Sequence, residues 1–366
     1  MLIPDEMTTL LAQTIPTIQQ RLMALDRSGP VTVEQMAALL GVERANKNRR
    51  GIIEWLKLGI ETGRLPDPKY CLCYQDQVSC VKSALQKYVR RSMVEQAVRA
   101  AKRLYQMSRV QAIRRMKIIV VEDAFSAVEI LRYFDDRMTL ETFLGVVKAT
   151  AEAPKDKSLC KLGEELTEGW RAPTLGGVEP DVGWLKEHLL DKAHFEDVVT
   201  QLYRLAQMKR LDLLYEVLGH DEIVDQCIGR VEGGTYWASD SVLLIMAAVR
   251  WLQKDYALKG LSLPSVDANA VAALTLAEID PFCLDFHTPI GRVAKLWFLK
   301  RHPDVREREL EIAWFHAESA KLGGVIEADW ERPYNRELWA RYGGEIMRLV
   351  QDVMRKFELD RYGRLV

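Results

Sequence analysis

Apolar residues recur along most of this chain at three- and four-residue spacing, in stretches filled with Leu, Ala, Met, Glu, Lys, Arg and Gln. That is the signature of amphipathic helices, and the alternating runs that mark half-buried strands are almost absent. The pattern predicts an all-α, multi-helix protein with two or three helical subdomains and short β-strands at most. Ile118 to Val121 reads as a buried strand when taken alone. It continues the stripe of Ile113 and Met116 and is only four residues long, so helix is the expectation there.

Breakers divide the pattern. Residues 1–66 form a helical segment that ends at Pro66 and Pro68, whose fixed dihedrals interrupt any helix. Residues 78–150 form a second, helical region. Residues 151–183 are read as a linker or loop, most clearly the Gly- and Pro-rich stretch 169–183. Residues 184–366 are read as a longer helical domain, punctuated by Gly233-Gly234, Pro264, Pro281, Pro303 and Gly323-Gly324. A faint echo links 101–113 with 202–214: either two similar helical hairpins, or a chance likeness between amphipathic helices.

Composition sharpens this picture in two places. The 366 residues carry 51 Lys and Arg against 52 Asp and Glu, so any preference for an anionic partner must be local. Six cysteines are scattered through a chain whose start lacks a secretory pattern, which suggests reduced thiols and a cytoplasmic location. Cys71-x-Cys73 with Cys80 has no fourth ligand at zinc-site spacing, so no metal is expected. The most apolar stretch, Val242 to Val249, is far too short to span a bilayer.

Charge is concentrated between Lys82 and Lys117. There Lys82, Lys87, Arg90, Arg91, Arg99, Lys102, Arg103, Arg109, Arg114, Arg115 and Lys117 face a single acid, Glu95. A concentrated basic face attracts phosphate backbones through counterion release, and this reading is preferred to that of a solvated or acid-paired helix face. Arg90 and Arg91 favour phosphate contact, because only Glu95 and Lys87 flank them; Glu122-Asp123 favour a structural ion-pair role.

The same stretch carries Ser83-Ala84-Leu85-x-Lys87-x-x-Arg90-x-Ser92, then Arg114-Arg115, then Glu122-Asp123. It resembles, over about residues 80–125, the helical region that follows the ATPase core in the replication-associated recombination protein A family, the clamp-loader-like ATPases related to the Werner-interacting protein. The resemblance implies helical oligomerisation and work at replication forks or on single-stranded DNA. It does not extend to the ATPase, since no Gly-x-x-x-x-Gly-Lys-[Ser/Thr] loop is present to cradle phosphates. ATP binding and hydrolysis are not expected, and no cofactor is.

Three further strings invite a role. Thr32 to Val42 has small residues at Ala37 and Gly41, four apart as in a helix-turn-helix, followed by Arg44, Lys47, Arg49 and Arg50. A plain helical hairpin is preferred there, with DNA contact by Lys47, Arg49 and Arg50 as the alternative. Asp285-Phe286-His287-Thr288-Pro289 is read first as a helix cap, with Thr288 at the N-cap and Pro289 at the first position, and second as an acid–base constellation. In the tail, Arg341, Arg348, Arg355 and Arg361 interleave with Trp330, Tyr334, Trp339, Tyr342, Phe357 and Tyr362. Core packing is the default for at least half of these aromatics, with base stacking or a subunit interface as the alternatives.

Together these features predict a non-enzymatic DNA-binding accessory protein of replication, recombination or transcription, acting on single-stranded or forked DNA and self-associating. The residues expected to contact nucleic acid are Lys87, Arg90, Arg91, Arg99, Lys102, Arg103, Arg114, Arg115, Lys47, Arg49 and Arg50. The alternatives are an oligomeric interaction scaffold with an acidic partner and, third, an enzyme centred on Asp285 and His287.

Overall fold

The structure, a computed structural model, describes residues 74–135, 137–160, 162–163, 180–231, 238–256, 258–322 and 333–356. The N-terminal segment with Lys47, Arg49 and Arg50, the Cys71-x-Cys73 pair and most of the 151–183 linker lie outside the described residues. The described chain is all-α. Among its residues no strand forms, and a parallel bridge joins Ala124 to Asp156.

Contacts divide the chain into two compact units. One comprises residues 85–273 with 322–325; the other comprises 1–84, 274–321 and 326–366. The division falls inside helix α1 (Tyr74–Arg90), at Ala84. It does not follow the expected limits at 150 and 184, because helices on both sides of the linker region pack into the first unit and the stretch after residue 273 belongs to the second.

In the first unit, α2 (Val94–Met107), α3 (Arg109–Asp123) and α4 (Leu140–Glu152) surround a 3-10 segment, Phe125–Tyr133. The expected helix at Ile118–Val121 is present, as the buried end of α3. Helix starts carry polar caps: the Ser108 hydroxyl accepts from the Gln111 amide ahead of α3, and Thr139 accepts from Thr142 ahead of α4. At the α1–α2 junction, Ser92 adopts a positive φ of 55°, which stops α1 and lets Met93 N–H reach Tyr88 O. The unit continues through α5 (Val182–His188), α6 (Phe195–Gln207), α7 (Leu211–Leu218), α8 (Glu222–Val231) and α9 (Ala238–Leu252). Val242 to Val249 in α9 are buried, so the apolar run belongs to the core. No helix among the described residues is long and apolar enough to cross a membrane. A long irregular stretch, residues 258–273, then lies over α2, α4 and the 3-10 segment.

In the second unit, α10 (Pro289–Arg301), α11 (Glu307–Trp314), a π-helical turn at Phe315–Ser319 and α12 (Pro333–Lys356) pack together. Trp314 and Phe298 are fully buried, and Leu338, Tyr342, Ile346, Leu349, Val350 and Val353 form the inner face of α12. Thr288 caps α10 by accepting from Gly291 N–H, with Pro289 at the first position, as the sequence predicts. Gly291 is required there: a Cβ would stand 1.9 Å from the Asp285 carbonyl oxygen.

Candidate nucleic-acid interface

The basic stretch does not form a solvent face. Arg90 is 4% exposed; its Nε donates to Asp123 Oδ1 at 2.6 Å and a terminal nitrogen to Glu122 Oε1 at 3.0 Å. Gln86 Nε2 donates to Asp123 Oδ2 at 3.0 Å, and Arg115 donates to Gln86 Oε1, closing a network between α1 and the end of α3. Burial opposes the Arg90 charge, but Asp123 and Glu122 outweigh it and hold the guanidinium protonated. Burial and the adjoining Asp123 push Glu122 up, with Arg90 and Arg115 pulling it down. Phosphate contact by Arg90 is thereby corrected: its donors are already used inside the fold. The expected structural role of Glu122-Asp123 is what the geometry displays.

The remaining residues follow suit. Lys87 is buried, and this too corrects its expected phosphate contact. Lys102 Nζ donates to the carbonyls of Ala268 and Val271, both at 2.8 Å, and Arg99 Nε donates to Ala272 O at 3.3 Å. These two cations clamp the irregular stretch onto α2. Arg109 bonds Tyr105 Oη and Met138 O, while Lys117 bonds Gln226 and lies 5.7 Å from the Phe134 ring centre. Arg91 and Arg103 are half-buried, and burial lowers the Arg103 pKa. Of the eleven cations Arg114 alone is exposed.

Lys155 performs a related task at the end of α4. Its ammonium donates to the carbonyls of Thr150, Ala151 and Ala153, each at 2.8 Å, satisfying groups that the helix terminus leaves without partners. Burial pushes its pKa down to about 8, with Asp123 pulling the other way.

Helices α10 and α12 carry exposed positive charge with little exposed acid beside it. Arg292, Lys300 and Arg301 on α10 and Arg336, Arg341, Arg348 and Arg355 on α12 are exposed, against the exposed Glu337 and the half-exposed Asp352 on these helices. The outer face of α12 reads Tyr334, Glu337, Arg341, Gly344, Arg348, Gln351 and Arg355, all exposed at steps of three and four. Arg341, Arg348 and Arg355 recur every seven residues, which places them about 10.5 Å apart along one side of the helix. Arg355 pairs with Asp352 at 3.4 Å, and Arg341 lies 4.8 Å from the Tyr342 ring centre. In the sequence these arginines are fewer than the cations of the 82–117 stretch, and what marks them is their seven-residue period opposite an apolar face.

Of the aromatics on α12, Tyr342 is buried, Trp339 half-buried and Tyr334 exposed. The buried Tyr342 meets Phe298 edge-on and His302 at a tilt, and the His302 Nε2 lies 3.0 Å from Glu345 Oε2. Tyr334 is exposed, and its hydroxyl donates to Glu309 at 2.9 Å.

The Asp285 string is chiefly a cap. The buried Asp285 carboxylate accepts from His287 N–H at 3.0 Å and from the Ser319 hydroxyl at 2.5 Å, tying the α10 entry to the π-helical turn. His287 Nδ1 lies 3.3 Å from the same carboxylate, with the ring largely exposed beside Phe286. Ser319 bonds the carboxylate rather than the imidazole, so the three residues do not form a nucleophile–base relay. No group of three His, Cys, Asp or Glu among the described residues is placed to hold a metal ion.

No family model matches the chain, and neither a curated protein nor a solved structure was found to match it.

Proposed function

We propose that the protein is a non-enzymatic DNA-binding accessory factor whose contact surface is the arginine face of α12 rather than the 82–117 stretch. The observation that carries this reading is the exposed row Arg341, Arg348 and Arg355, set against only Glu337 and the half-exposed Asp352 on α10 and α12. From first to last the row covers about 21 Å, the length of about six base-pair steps. Gly344 and Gln351 fill the positions between, so positive charge dominates the face. Its one exposed ring, Tyr334, is tied by its hydroxyl to Glu309, which moves the reading from single strands toward the phosphate backbone of a duplex. The same polar row is a poor helix-packing seam, which argues against a coiled-coil role for this face.

The test is fluorescence anisotropy with a labelled duplex and a labelled single strand across a salt series. Binding to the duplex should weaken steeply with salt, and replacing Arg341, Arg348 and Arg355 together by Ala should flatten the slope by about 2 to 3 units, at about 0.9 per phosphate contact. No binding at about 50 mM salt, or an unaltered slope in the triple variant, overturns the proposal. In the first case an acidic protein partner becomes the better occupant of the row.

A further inference from the structure

The clamped stretch creates a groove of its own. Pro264 approaches α4 so closely that a Cβ on Gly145 would stand 2.8 Å from the Pro264 carbonyl oxygen. Further along, Lys102 holds the carbonyls of Ala268 and Val271, and Arg99 holds that of Ala272. Asp267 fixes the turn between, its carboxylate accepting from Asn269 N–H at 2.9 Å. Between this anchored wall and helices α2 and α4 lies a cavity of about 620 Å³. That is within the range of small-molecule sites, about 300–1,000 Å³.

The lining has a definite chemistry. Val94, Val98, Val266 and Val271 supply aliphatic surface, with Ala270 and Ala272 at its edge. Arg99 and Lys148 bring two cations to the same groove, against one carboxylate, the exposed Glu95. Lys148 is half-buried on α4 and makes no hydrogen bond or ion pair among the described residues. No aromatic ring lines the cavity, and apart from Ser265 its uncharged lining is aliphatic. A nucleobase would find nothing to stack on and few groups to read its edges. An aliphatic chain with an anionic head would bury its body against the valines and set its charge beside Lys148.

We infer that this groove is a binding site for a small amphipathic anion, a medium-chain carboxylate, held by the valines through its chain and by Lys148 through its head. The site is separate from the arginine row of α12 and does not depend on it.

Calorimetric titration with decanoate, kept below its micelle concentration, tests the assignment, with decanol as the uncharged control. Decanoate should bind saturably and at least about tenfold more tightly than decanol. Lys148→Met should cut decanoate affinity by about tenfold while leaving decanol unchanged, and Val271→Asp, which sets a carboxylate in the groove, should abolish decanoate binding. Circular dichroism on both variants checks that the fold is retained. Absence of saturable decanoate binding overturns the inference, as does equal affinity for decanoate and decanol, or undiminished decanoate binding by either folded variant.

Discussion

The stretch from Lys82 to Lys117 and the helix α12 are both rich in cations, yet the fold uses them in opposite ways. The first is the denser by far, and its charges turn inward to Asp123, Glu122, the 268–272 carbonyls, Met138 and two glutamines. The second carries fewer charges, and Arg341, Arg348 and Arg355 stand in solvent. Charge density along a chain therefore does not measure surface potential. What decides is whether the rest of the fold brings acceptors to the cations, because an unpaired buried charge is too costly to persist.

The difference can be broken most directly at Arg90. Replacing it by Ala leaves Asp123 buried without its main partner, and removing one member of a buried pair costs about 3–5 kcal/mol. Urea denaturation should register that loss, while the salt slope of any oligonucleotide binding by the folded fraction stays unchanged. A stable Arg90→Ala protein with a flatter slope would return the 82–117 stretch to the role of a phosphate-binding face.

A smaller effect is expected at Lys102, which donates two charge-assisted hydrogen bonds to loop carbonyls. Lys102→Met keeps the aliphatic stem and removes the donors, at a cost of roughly 1.5–3 kcal/mol. Hydrogen exchange should quicken selectively across residues 265–273, because the clamp acts on that stretch. Uniform quickening throughout the first unit would show that Lys102 supports the helices rather than the loop.

These contrasts also explain what the sequence made legible. Helix content, the continuation of α3 through Ile118–Val121 and the Thr288–Pro289 cap all follow from patterns within about fifteen residues. The partners of the cations do not: Asp123 lies 33 residues from Arg90, and Ala268 lies 166 from Lys102. No local rule pairs them. The residues that carry the family resemblance are largely those of the internal framework, with Arg90 on Glu122 and Asp123, Arg115 on Gln86, Lys87 buried and Ser83 donating to Cys283 O at 2.6 Å. Their physical task in this chain is packing, whatever else the resemblance implies. The α12 row was readable as a seven-residue period, but only its exposure distinguishes it from a packed seam.

Lys155 sharpens the comparison through pH. Its pKa is about 8 in the folded protein and starts from 10.5, so between these values the unfolded chain holds a proton that the folded chain has released. Stability therefore rises with pH across that window and is lost as pH falls from 10.5 to 8. Discounted for partial solvent access, the swing is about 1–2 kcal/mol. Lys155→Met should remove it, as read from the difference in urea midpoints between the two proteins. Cys227, which burial pushes up to about 12, works in the opposite direction above pH 9 but cancels in that difference. A difference that does not vary with pH would mean that the three carbonyls keep the ammonium charged despite its burial.

The smallest stability effect should come from Arg348, and there the two regions separate most cleanly. Its side chain is exposed and makes no hydrogen bond or ion pair among the described residues, and Ala is the best helix former. Arg348→Ala should alter unfolding free energy by no more than about 0.5 kcal/mol, in the range of ordinary surface substitutions. On the duplex salt series the same change should lower the slope by about 0.9, the loss of one phosphate contact. Arg90→Ala predicts the reverse on both axes, a large loss of stability and no change of slope. Measuring both quantities on both variants places each arginine without reference to the other. If Arg348→Ala left the slope intact, the row on α12 would be a solvated helix face and the outward charge would have no phosphate to meet.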